Sequence, residues 1–152
     1  MKAFGHFDSL IECINPKNNT WRVRWEISEG VYEEREFNYR PSLEQLQEVI
    51  KAWFNKEIDN EIMGGFEWKE MPIWLSSENQ FNYKTAYDLA VQTNGASLPI
   101  KFKFGTDESP VYYTFESLED FSNFYMSAVA HVNTVLNKGW EKKDSIDWEV
   151  YK

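Results

Sequence analysis

The sequence is short of the residues that staple a fold or hold a metal. It has one cysteine, Cys13, so no internal disulfide can form and nothing argues for an oxidising compartment. The expectation for such a thiol is burial as a small apolar group. There are only two histidines, His6 and His131, and neither belongs to an i, i+4 pair, an HExxH or a His-x-His element, so no metal site is expected. No GxSxG elbow, P-loop or GxGxxG is present, which removes the sequence support for acyl-transfer and nucleotide chemistry. No run approaches the roughly 18 apolar residues of a membrane span, and the opening MKAFGHFDSL is too polar for a signal peptide. The expectation is a soluble chain with no membrane partner. Basic charge is also scarce: 16 Lys and Arg stand against 25 Asp and Glu, a net charge of −9 that repels phosphate backbones and argues against nucleic acid as a partner.

What the chain has in excess is rings. Phe, Trp and Tyr make up 17% of its 152 residues. Rings fill cores, and they inform about function only where a pattern turns them toward solvent. A chain of this length is expected to fold as one domain that buries about 68–70% of the surface exposed when unfolded.

Three segments have helical spacing with start and stop signals. In RPSLEQLQEVIKAWFNKEIDNEIMGG, Ser42 and Gln45 form a capping box, and Leu43, Leu46, Ile50, Trp53, Phe54, Ile58 and Ile62 line a stripe. Gly64 offers a left-handed stop. In SSENQFNYKTAYDLAVQTNG, Ser77 with Gln80 repeats the entry signal, Tyr83, Ala86, Tyr87 and Ala90 share a face, and Asn94-Gly95 ends the run. In ESLEDFSNFYMSAVAHVNTVLNKG, Ser117 and Asp120 begin a helix whose apolar face is Leu118, Phe121, Tyr125, Ala128, Val132 and Val135, and Lys138-Gly139 closes it.

Elsewhere the period falls to 2. TWRVRWEI sets Trp21, Val23, Trp25 and Ile27 against Arg22, Arg24 and Glu26 on a wet face. SLIECI before it, as the first strand, and VYEEREFNY after it complete an N-terminal sheet. Phe66 and Trp68 lead to a turn at Lys69-Glu70, from which Met71, Ile73 and Leu75 return, with Pro72 confining the hairpin to an edge. PIKFKFG and PVYYTFE form a third hairpin across TDES. The expected fold is therefore α+β: antiparallel β-hairpins alternating with three α-helices in one compact domain over 1–152. Within it, a β-sheet subregion at 1–40 precedes a helix-hairpin-helix-hairpin-helix module at 41–152.

No catalytic residue, metal ligand or cofactor site is expected. The acids of YEEREF read as a solvated face, since a carboxylate pair alone has almost no specificity for glycosidase chemistry. GTDESP lacks calcium-loop spacing, and the NNT at Asn18 to Thr20 reads as turn chemistry. His131 is expected to be partly buried and hydrogen-bonded. The binding candidates are rings whose burial the pattern does not force: Trp68 and Trp74 in the edge hairpin, Tyr112 on the wet face of the third hairpin, and Trp140 just past a helix end.

The ordered pattern FEWKEMPIWLSSENQFNYKTAYDLA, LPIKFKFG, YYTFES and AHVNTVLNKGWEKKDSID, over about residues 65–148, resembles a domain family of unknown activity found in phage and prophage proteins beside tail-fibre or tail-assembly modules. The upstream RPSLEQLQEVIKAW is similar to the lead-in of such modules. The resemblance implies a structural or tail-associated protein of a bacteriophage virion, assembled in the host bacterial cytoplasm, that is not an enzyme. It would work through contacts with other tail proteins or with copies of itself as a homo-oligomer. The alternatives are a tail-fibre assembly factor, or a carbohydrate-binding module for the host surface. The resemblance brings no catalytic or cofactor residues.

Overall fold

The alternation of TWRVRWEI builds one of the two inner strands of a four-stranded antiparallel sheet in the computed structural model, which describes residues 1–152. The strands β1 (Lys2–Phe4), β2 (Ile11–Asn15), β3 (Thr20–Ser28) and β4 (Val31–Phe37) lie in the order β1-β4-β3-β2. Then follow α1 (Leu43–Gly64), β5 (Phe66–Trp68), β6 (Met71–Ile73), α2 (Ser77–Gln92), β7 (Ile100–Gly105), β8 (Pro110–Phe115), α3 (Leu118–Asp144) and a closing 3-10 turn at Trp148–Tyr151. The fold is α+β, with β5–β6 and β7–β8 as separate two-stranded hairpins. Two compact units divide it, one of residues 1–54 and 143–152 and one of residues 55–142.

In the first unit, Val23, Trp25 and Phe37 of the sheet pack with Leu46, Ile50 and Phe54 of α1. The capping box forms as expected: the Ser42 N–H donates to Gln45 Oε1 at 2.8 Å, and the Gln45 N–H donates to Ser42 Oγ at 3.2 Å. The charged tail is tied down through Tyr151, which is buried and donates its hydroxyl to the Arg24 carbonyl at 2.7 Å.

Four expectations change here. The first strand is β1, ahead of SLIECI, and it is held through Met1, whose ammonium donates to the Glu33 carboxylate at 2.6 Å and the Glu34 carbonyl at 3.0 Å. Cys13 is exposed on the edge strand β2 and is not a core thiol. Arg24 is not on a wet face: it is 4% exposed. Its guanidinium donates to the Ser9 carbonyl at 2.9 Å and Glu12 at 2.8 Å, lies 3.4 Å from Glu34, and faces the rings of Phe7 and Tyr32 at 4.9 and 5.6 Å. A buried guanidinium is tolerable only with such a set of partners. Finally, Ile27 is exposed. Glu26 takes φ 50° at a bulge, and the pairing jumps from Trp25 with Glu33 to Ser28 with Val31. One extra residue turns the strand's alternation over.

The second unit is built on rings. Phe66, Ile73, Leu75, Tyr83, Ala90, Phe104, Phe115, Phe121, Phe124 and Ala128 form its buried cluster. α2 begins one residue earlier than expected, because the cap is Ser76, whose Oγ accepts from the Asn79 N–H at 3.2 Å. It ends as expected at Asn94-Gly95: the Gly95 N–H reaches the Ala90 carbonyl at 2.8 Å and the Asn94 N–H reaches Val91 at 3.1 Å, with φ 51° at Asn94. These are the two bonds of a Schellman motif.

The other two glycines depart from a left-handed stop in different ways. Gly64 closes α1 without a left-handed φ, and the following Gly65 lies so near α1 that a Cβ there would meet the Glu61 carbonyl oxygen at 2.6 Å. α3 runs on through Gly139, where a Cβ would fall on Cγ1 and Cδ1 of Ile58. The Lys138-Gly139 pair therefore marks a close approach of α3 to α1, and Trp140 lies within a helix.

Gly139→Ala gains about 1 kcal/mol of helix propensity but overpacks a stiff β-branched side chain at a cost of about 1–3 kcal/mol, so net loss of stability in urea denaturation is expected. Combining it with Ile58→Val, which removes the Cδ1 carbon, should recover part of that loss. Tyr83, without a hydrogen bond and buried in the ring cluster, has its phenol pushed up to about 12 from 10. Its stabilising contribution is whole below pH 10 and is lost as pH rises toward 12. Tyr83→Phe should be near neutral in stability at pH 7 and should abolish its share, about 1–2 kcal/mol after allowance for residual solvent, of the alkaline loss. Tyr151, raised likewise to about 12, keeps its own share.

Candidate functional site

Two recesses in the second unit are lined by side chains that the core leaves over. The first lies between α2 and α3. Capping at Ser76 sets the phase of α2 so that Tyr83 turns inward while Phe81, two residues earlier, points out, 67% exposed. On α3 the same division leaves Met126 and Val129 in solvent while Ala128 is buried. Phe81, Tyr83, Tyr125, Val129 and Val132 surround a groove of about 280 Å³. Its polar rim is sparse: Gln80 donates its amide to the Leu75 carbonyl at 2.8 Å, and Lys84 is paired with Asp88 at 2.6 Å, which raises the Lys84 pKa.

The second recess is polar and has a volume of about 520 Å³. Trp74, Asn79, Lys103, Phe104, Gly105, Thr106 and Asp107 line it. Trp74 is 55% exposed, with its indole against the bare backbone of Gly64, and its carbonyl accepts from the Asn79 side-chain amide at 2.7 Å. The β7–β8 turn forms the opposite wall. It is held by Gly105, with φ 80° and no room for a Cβ against the Ser109 carbonyl, and by the Ser109 N–H, which donates to Thr106 Oγ1 at 3.0 Å.

The four rings expected to mark binding do not converge on one surface. Trp74 lines the polar recess. Tyr112, 60% exposed, stands opposite Lys103 of that recess in the β7–β8 register, with the Lys101 ammonium 5.4 Å from its ring centre. Trp68 is half-buried, its ring edge-on to Phe124 at 5.7 Å and its indole N–H buried without a partner. Trp140 is 48% exposed on α3. Phe81, Met126 and Val129 lie outside the rings that the sequence pattern singles out. The signal was present, because each is a large apolar residue off the inward stripe of its helix.

Titratable groups are placed for structure. Lys69 donates to Tyr113 at 2.7 Å and Asp120 at 3.3 Å, and Tyr113 donates to Asp120 at 2.6 Å; the bond to Tyr113 is the chief cause of the raised Lys69 pKa. This cluster anchors a β5–β6 turn in which Lys69 and Glu70 both have positive φ. His131 is partly buried, as expected, with Nε2 3.0 Å from the Glu61 carbonyl and its ring stacked on Phe66. No group of three or more His, Cys, Asp or Glu side chains is placed to hold a metal ion, and no helix is long and apolar enough to cross a membrane.

No curated protein and no solved structure matches the chain. One family model matches residues 43–151, from the first residue of α1 to the end of the closing turn, and so takes in both recesses and leaves β1–β4 outside. The chain belongs to this family, described as a domain of unknown function, DUF4376.

Proposed function

We propose that this protein acts by protein–protein contact in the assembly of bacteriophage tails, as a tail-associated component of the virion and without catalysis or a cofactor. The phage setting is supported by the resemblance of residues 65–148 to tail-associated modules. The mode of action is supported by one structural observation, the α2–α3 groove with Phe81 and Val129 in solvent. Such side chains gain about 25 cal/mol for each Å² removed from water, and a sparse polar rim adds little desolvation cost.

The occupant of the groove is an apolar segment of another tail protein. A second copy of this chain is disfavoured by the net charge of −9 that each copy would bring. A partner with a neutral or basic face suits both the apolar groove and the net negative charge of the chain.

Quantitative mass spectrometry of purified virions and of the lysate tests this reading. Fixed stoichiometry in the particle is the expected result. Absence from the particle, with co-purification of a tail-fibre protein from the lysate, would instead make the chain an assembly factor that leaves its client. Absence from both kinds of complex would end the proposal, and light scattering that found a stable homo-oligomer would replace the partner with a second copy. Val129→Asp, at a position 38% exposed, should leave the melting temperature nearly unchanged and weaken partner capture by about tenfold or more.

A further inference from the structure

The polar recess beside Trp74 has the composition of a site for an uncharged, hydroxyl-rich ring. Its two charged groups, Lys103 and Asp107, have no partner within the chain and are of opposite sign, so the recess carries no net formal charge. That balance gives no advantage to a phosphate or to a cation. An ammonium and a carboxylate carried by residues that line one recess instead suit a ligand that accepts from one and donates to the other. Hydroxyl groups on neighbouring carbons do both, through charge-assisted hydrogen bonds.

The third requirement is a flat apolar surface for the C–H face of such a ring, and Trp74 supplies it. Its indole is half exposed, its Cζ3 lies beside Gly64, and the Asn79 amide donates to its backbone carbonyl. A platform set in advance loses little entropy on binding. Asn79 keeps its side-chain carbonyl oxygen free as a further acceptor, because only its amide nitrogen is used. From these features we infer that the Trp74–Asn79–Lys103–Asp107 recess is a carbohydrate-binding subsite for a neutral sugar.

The subsite extends in one direction. Tyr112 is the cross-strand partner of Lys103, so the two side chains leave the β7–β8 hairpin on the same face about 5 Å apart at Cβ. With 60% of its surface exposed, Tyr112 offers a second ring one strand beyond the recess. The ligand is therefore an oligosaccharide, with one unit on Trp74 and the next toward Tyr112. This surface is distinct from the α2–α3 groove, and neither proposal depends on the other.

Saturation-transfer NMR with maltotetraose, cellotetraose and chitotetraose, followed by an array of bacterial surface oligosaccharides, tests the subsite. At least one probe should bind with a roughly millimolar or tighter dissociation constant. Trp74→Ala should abolish the transfer and Trp74→Phe should retain part of it. Lys103→Ala and Asp107→Asn should each weaken binding about tenfold, and Trp140→Ala and Val129→Asp should not change it. Equal melting temperatures would show that the variants remain folded. Silence across the three probes and the array, or a Trp74→Ala variant that binds as the parent does, overturns the assignment; loss of partner capture with sugar binding intact bears only on the α2–α3 groove.

Discussion

Phe124 is the point on which the second unit closes. Its ring meets Phe66 and Trp68 of β5, Tyr83 of α2, Phe104 of β7, Phe115 of β8 and Phe121 of α3, at centroid distances from 5.1 to 6.4 Å. Edge-on and offset pairs of this kind contribute about 0.5–1.5 kcal/mol each beyond the area they bury. The dependence matters because the elements are slight. β5 and β6 have three residues each, and an isolated two-stranded hairpin is marginal in water. Each hairpin stands because it gives a ring to a centre that the helices also share.

That arrangement explains which features were legible in the sequence. Elements defined by local spacing could be read: the Ser42–Gln45 box, the Asn94-Gly95 exit, the turn at Lys69-Glu70 and, except for the exposed Val111, the inward faces of β7 and β8 stand where the pattern puts them. Features defined by a distant neighbour could not. Phe124 falls between Phe121 and Tyr125 on α3, and nothing local marks it as the hub. Gly139 carries the sign of a helix end, and only the position of Ile58 shows that the missing side chain serves packing instead. Ser76 and Ser77 are equal as caps until Asn79 chooses between them.

Arg24 gives the same lesson with charge. In alternation with Trp25 it reads as a solvent-facing residue, and its burial depends on Glu12, Glu34, Phe7 and Tyr32, which arrive from three other segments. The Lys69–Tyr113–Asp120 cluster is comparable. Two non-glycine residues with positive φ make a strained turn, costing about 1–3 kcal/mol apiece, and the strain persists because surrounding contacts hold it. Here the contacts come from β8 and α3, 44 and 51 residues along the chain. Arg24 ties together strands that backbone hydrogen bonds already pair, whereas Lys69 joins its turn to β8 and α3, to which no backbone ladder connects it.

Rings so fully committed to the interior make the remaining ones more informative. Trp74, Phe81 and Tyr112 lie on or just past elements that already supply the same cluster with Ile73, Tyr83 and Tyr113 or Phe115, yet they are exposed. Core filling cannot account for them, since their neighbours on the same strand or helix perform that task. They also divide by surroundings: Phe81 keeps company with Val129 and Val132, whereas Trp74 keeps company with Asn79, Lys103 and Asp107. An apolar neighbourhood favours another apolar chain, and a polar one around a flat ring favours a ligand with one greasy face and many hydroxyls. Both surfaces fall within residues 43–151, so the family's own span contains them while the sheet of β1–β4 lies outside it.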